Sequence, residues 1–159
     1  MPTQADVRRI ALALPETVEE PGRFAFAVMN KGKAKGFAWV WMERQTDKGP
    51  RVPRPDVLAI RVAGEEAKQF LIGSAPATFF TEPHYHGFPG ILTWLEAISP
   101  EQLEELLVGG WRLQAPRPLV AAFDAARNHA GAAPRLIICD TLMGKGVPFL
   151  EAREKNHFI

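Results

Sequence analysis

With 159 residues, 47% of them apolar and 23% charged, the chain is long enough to bury a core and too apolar to be disordered in bulk. A net charge of +1 excludes a global field that would draw nucleic acid, so any such function has to rest on a local patch. The single Cys139 excludes an internal disulfide and a cysteine-based zinc site, and no stretch approaches ~20 uninterrupted apolar residues.

The first residues carry charges where a signal peptide has an apolar run, so the sequence predicts a cytoplasmic protein with no membrane partner. Thr3 caps a first helix, with Asp6 at the third position favourable to the helix dipole. Val7, Ile10, Ala11 and Leu14 then form one apolar stripe, and Pro15 ends it. Three strands are predicted next, at 23–29, 36–42 and 56–62. The first two are joined by a turn over 30–35 whose Asn30 and Gly32 permit positive φ. The second and third are separated by 45–55, rich in Pro, Gly and charge, which reads as an exposed loop. Short links between neighbouring strands imply an antiparallel meander.

A short helix over 65–72 and a short strand over 77–81 follow, then a rigid turn, Glu82-Pro83-His84-Tyr85-His86-Gly87-Phe88-Pro89-Gly90, and a final strand over 91–95. Ser99-Pro100-Glu101-Gln102 is a strong helix start, with a Ser cap, Pro in the first turn and Gln closing a capping box. Leu103, Leu106, Leu107 and Trp111 form the inner stripe of that helix, and a last helix runs from about 118 to 129 before Gly131 and Pro134. The fold class expected is α+β: an antiparallel sheet of about five strands packed against N- and C-terminal helices.

Four segments carry a resemblance: Ala11-Leu12-Ala13-Leu14-Pro15-Glu16, the 30–41 hairpin, Phe79-Phe80-Thr81-Glu82-Pro83-His84-Tyr85, and Trp111-Arg112-Leu113-Gln114-Ala115-Pro116. In their order and spacing, residues 3–123 resemble the MmcQ/YjbR family, with Arg117 where that family usually has Lys. The resemblance implies a CyaY-like α+β fold and a DNA-binding role. A second resemblance begins later. Pro134-Arg135-Leu136-Ile137-Ile138-Cys139-Asp140-Thr141-Leu142-Met143-Gly144-Lys145-Gly146, with His157 beyond, is similar to part of the thiamine-diphosphate-binding domain of transketolases. The domain division expected is therefore 1–123 and 124–159, the latter a fragment and not an independent domain. Transketolases hold the diphosphate through a metal with a G-D-G segment, which this chain lacks, and Gly144-Lys145-Gly146 lacks phosphate-loop spacing. No cofactor is expected.

The local patch is the hairpin and the loop after it. Lys31, Lys33, Lys35, Arg44, Lys48, Arg51 and Arg54 stand against Glu43 and Asp47, a concentration of positive charge suited to phosphate contacts or simply to keeping edge strands soluble. Phe37, Trp39 and Trp41 alternate beside it. They are expected either as core beneath the helices or as an exposed platform on which bases stack. On an extended segment Glu82, His84 and His86 would share one side, but three such groups on a rigid turn show neither a nucleophile nor a paired base. No metal site and no catalytic residue are assigned. The leading reading is a non-catalytic binding module for DNA. The alternatives are an enzyme, either a transketolase remnant or an activity near His84 and His86, and a protein-interaction module. The apolar strand at 136–139 has three outcomes: docking on the host sheet, pairing with another chain in self-association, or remaining loose.

Overall fold

The structure, a computed structural model, describes residues 1–128. The expectations for 129–159, including the strand at 136–139, self-association through it, and the roles of the G-K-G segment and His157, lie outside the described residues. The chain divides into two compact units, Met1–Gln114 and a second beginning at Ala115.

The first unit opens with α1, Gln4–Ala13, capped as expected: the Asp6 carboxylate accepts from both the backbone N–H and the hydroxyl of Thr3. Val7, Ala11 and Leu14 are buried, whereas Ile10 is half-buried. Glu16, at φ 57, turns the chain into a short strand that the sequence reading missed, β1, Thr17–Glu19. Three residues are too few to show a period.

The meander then runs through β2 (Ala25–Asn30), β3 (Lys33–Arg44) and β4 (Arg51–Arg61). The turn between β2 and β3 has just two residues, Lys31 and Gly32, at φ 52 and 76. Positive φ at both positions matches the twist of the flanking strands, but Lys31 and not Asn30 takes the strained conformation. The predicted exposed loop at 45–55 is corrected to 45–50, because Arg51–Arg54 pair with Trp41–Arg44. Pro53 and Pro55 are tolerated because the strand beyond, which pairs with β4 only at Val57–Arg61, does not reach them. One side of β4 is an open edge there.

Helix α2, Glu65–Ser74, precedes β5 (Phe79–Phe80), a 3-10 turn at Pro83–Tyr85, and β6 (Gly90–Trp94). The result is a six-stranded, antiparallel open sheet in the order β1-β2-β3-β4-β6-β5. Helix α3, Pro100–Gln114, starts from the expected capping box, in which the Gln102 N–H donates to Ser99 Oγ. It packs on β2, β3 and β4 and against α1. Gly110 makes the close approach possible: a Cβ there would lie 3.1 Å from the Arg61 carbonyl oxygen, 3.2 Å from that of Phe37 and 3.3 Å from Ile60 Cγ2. Trp111 is fully buried, and its indole N–H donates to the Pro15 carbonyl at 2.9 Å, tying α3 to the end of α1.

In the second unit α4, Arg117–Asn128, places Leu119 and Phe123 at i, i+4, both buried, with the Arg127 guanidinium 5.5 Å from the Phe123 ring centre. Among the described residues no helix is long and apolar enough to cross a membrane.

Candidate nucleic-acid interface and the aromatic face

The seven predicted cations do not form one patch. Strand β3 carries Lys33 at one end and Arg44 at the other, eleven residue steps or about 36 Å apart. At the far end the three arginines are held locally. Arg54 donates to Asp56 through Nε and Nη2 and to Glu43 through Nη1, at 2.7 to 3.0 Å, and the two carboxylates raise its pKa. The same bonds lower that of Asp56, chiefly through the Arg54 hydrogen bonds. Arg51 donates to the Met42 carbonyl and Arg44 to that of Asp47. Lys48 is exposed between them.

At the near end Lys31, Lys33 and Lys35 are all exposed and form no ion pair with a described residue. Two cations that the sequence reading left out of the site lie close to Lys35: Arg23, just before β2, and Arg61, at the end of β4. They line a hollow of about 330 Å³ together with Lys35, Glu20, Trp39 and Phe88. Arg23 sits 3.6 Å from Glu20. The Arg61 guanidinium lies over the Phe88 ring at 5.4 Å, and its Nε is buried without a hydrogen-bond acceptor among the described residues. Nothing in local sequence pairs position 61 with position 35. The β3–β4 register and the turn before β6 do so.

The aromatic residues of β3 also correct an expectation. Ile60, which touches α3 at Gly110, pairs with Ala38, so Ala38, Leu58 and Ile60 belong to the helix-covered face. Trp39 pairs with Ala59 and therefore lies on the other face. That face has its own cluster of Trp41, Val57, Ala59, Tyr85 and Leu92, with Trp39, Phe80 and Trp94 packed against it. A register shift between Phe26 and Ala27 faces Phe37, where two residues of β3 span one step of β2, so the strict alternation from Phe37 to Trp39 does not hold. Trp39 and Trp41 are thus neither under the helices nor fully open. The segment at 83–90 covers them, with Phe88 edge-on to Trp39 at 5.9 Å and to Tyr85 at 5.8 Å.

That covering segment is pinned by Lys68 of α2. Its side chain is fully buried, and Nζ donates to the Tyr85 carbonyl at 2.7 Å and lies 3.3 Å from Glu65. Tyr85 in turn accepts from the Trp39 indole N–H at 3.0 Å. Burial, the largest cause, raises the Tyr85 pKa above its ordinary value, against the Trp39 hydrogen bond. The 3-10 turn breaks the extended geometry in which Glu82, His84 and His86 would share one side: Tyr85 points inward and both histidines are exposed. Among the described residues no group of three or more His, Cys, Asp or Glu is placed to hold a metal ion.

These features define an open-faced α+β protein with a basic hairpin beside an aromatic wall. No family profile matches the sequence. The uncharacterized protein Rv2570 of Mycobacterium tuberculosis is 37% identical over 129 residues, covering 77% of this chain and 96% of that protein, and Mb2600 of Mycobacterium bovis matches equally. The chain belongs to the family of these mycobacterial proteins. In the crystal structure of Deinococcus radiodurans protein DR2400, a domain designated DUF419, the fold recurs with a TM-score of 0.53 and 24% identity, over 71% of this chain and 78% of that one. A 41-residue stretch, 26% of this chain, is 71% identical to an uncharacterized transketolase family protein, y4mO, of Sinorhizobium fredii, but spans just 15% of that protein.

Proposed function

We propose that the chain is a cytoplasmic, non-catalytic module of the MmcQ/YjbR type that binds DNA through the Lys31–Lys35 hairpin, with residues 124–159 a transketolase-derived addition that contributes no thiamine chemistry. The observation that carries the DNA reading is the contrast in partnering. Lys31 in the two-residue turn and Lys33 and Lys35 just after it have no carboxylate bound to them among the described residues, whereas Arg54 at the other end of the sheet is held by two. Cations already satisfied by carboxylates release few counterions on meeting a phosphate; unpaired ones on a protruding turn release one each. Arg61, which has no carboxylate partner among the described residues, adds a further cation near the hairpin.

The test is a salt titration of binding to generic duplex DNA. Replacing Lys31, Lys33 and Lys35 by Ala should weaken binding and reduce the slope of log K against log salt by about 2.7, three phosphates at 0.9 each. Replacing Arg44 and Lys48 by Ala should leave both nearly unchanged. Unaltered affinity and slope in the triple variant remove the hairpin from the account.

A further inference from the structure

The hollow beside Lys35 has a neighbour. A second cavity, of about 210 Å³, is lined by Trp39, His84, Tyr85 and Phe88, so the two share Trp39 and Phe88 as a common wall. One cavity is basic, with Arg23, Lys35 and Arg61 against the single carboxylate of Glu20. The other is aromatic. We propose that together they bind a nucleotide, with its phosphate held by Arg61 in the first and its planar base against the rings of the second.

Several observations converge on this chemistry and none involves the tip of the hairpin. No hydrogen bond from the Arg61 guanidinium ends on a described residue, and its Nε is buried, so the two Nη groups are the donors left for a ligand. The guanidinium is already oriented by its stacking on Phe88, so little freedom is lost when it closes a forked pair of hydrogen bonds on a phosphate. Glu20 does not oppose the anion strongly, because Arg23 stands 3.6 Å from it, which leaves Lys35 and Arg61 as the excess charge. The size of the basic cavity lies at the lower end of small-ligand sites, too small for a folded partner and adequate for a phosphate with its sugar. On the aromatic side Phe88 is partly exposed and Trp39 half-buried, while the Trp39–Tyr85 hydrogen bond and the Lys68 anchor hold the wall in place.

The phosphate could belong to a free mononucleotide or to the end of a strand, and the chemistry is shared. The probes are adenosine 5′-monophosphate, adenosine, and an eight-nucleotide single strand with either a 5′-phosphate or a 5′-hydroxyl. Binding to the full chain would be followed by calorimetry and by tryptophan fluorescence, to which Trp39 should respond. A phosphate-dependent gain of about tenfold or more is expected, either for the monophosphate over adenosine or for the phosphorylated strand over the hydroxyl one. Which pair shows the gain identifies the source. Arg61→Gln should abolish that gain. Phe88→Ala should weaken the bound species about tenfold, and it serves as the second variant if R61Q does not fold. K31A/K33A, which alters the hairpin tip alone, should leave monophosphate binding unchanged, so failure of this site and failure of the hairpin reading are told apart. Absence of saturable binding by any probe overturns the proposal. So does equal binding with and without the phosphate, or an undiminished gain in a folded R61Q.

Discussion

Both faces of the sheet carry buried apolar residues, but they are closed by different means. On one, α1 and α3 lie directly on the strands, and the contact is tight enough that a Cβ at Gly110 would crowd the backbone of β3 and β4. On the other, Trp41, Val57, Ala59 and Leu92 are covered by a turn of chain at 83–90, attached through a lysine and a tyrosine. A helix layer excludes water along its whole length. A turn excludes it only beneath itself, and Trp39 and Phe88 are left at the rim. The difference teaches where a protein of this architecture can stabilise itself and where it can bind. Rigid burial belongs to the helix face, and the accessible aromatic groups, with Arg61 beside them, belong to the other.

The largest effect expected from breaking either face is at Trp111. It is fully buried and donates its indole hydrogen bond to Pro15, so Trp111→Ala should cost about 3–5 kcal/mol in denaturant unfolding. A loss below about 1 kcal/mol would mean that α3 does not seal this face as described. Binding by the hairpin, measured where the variant remains folded, should be unaffected.

The second effect sharpens the comparison from the other side. Lys68→Met keeps much of the volume but leaves the Tyr85 carbonyl without its donor, which should cost about 1–3 kcal/mol. Glu65 is exposed enough to return to water and should add little. Because the lysine pins the cover and not the strands, tryptophan fluorescence should shift towards that of solvated indole. An unchanged spectrum would mean that the cover is held by packing alone.

The helix face was readable from sequence and the aromatic face was not. The Thr3 cap, the Ser99 capping box, the stripe through Leu103, Leu107 and Trp111, and the meander all follow from local periodicity and turn chemistry, and they are where the pattern places them. Leu106, expected in the same stripe, is half-buried. Alternation in β3 shows that both faces are apolar, but it carries no information about which face the helices choose. The expectation of Trp39 and Trp41 as core beneath the helices therefore failed, and so did that of a fully exposed platform. Lys68 reads as a solvated charge on a short helix, because its acceptor is a backbone carbonyl 17 residues away. Arg61 reads as the polar end of a strand. Its place beside Lys35 depends on the β3–β4 register and on the turn carrying Phe88, both set by pairing between distant segments. The basic run at 31–54 misled in the opposite sense. Sequence proximity joined cations that a long antiparallel strand holds at opposite ends.

The smallest effect expected is also the cleanest to measure. Tyr85 is the single tyrosine in the chain, so absorbance at 295 nm reports its ionisation alone. Burial under the turn disfavours the phenolate and raises the pKa above its ordinary value of 10.0, and the Glu82 carboxylate adds to this. The Trp39 N–H opposes both by donating to the oxygen. The sign follows from proton counting. Above pH 10 the unfolded chain has released the phenolic proton while the folded chain still holds it, so the unfolded state binds fewer protons and stability falls as pH rises. Below pH 10 this group contributes no pH dependence. The titration midpoint in the folded protein should therefore lie above 10, and stability should decline from there upward with a component that Tyr85→Phe removes. Trp39→Phe takes away the largest of the interactions that favour the phenolate, leaving the weaker pull of Arg51 and Arg23, so it should move the midpoint still higher while costing little stability. A midpoint at or below 10 in the folded wild type would mean that water reaches the tyrosine, and that the second face is open where the turn is described as closing it.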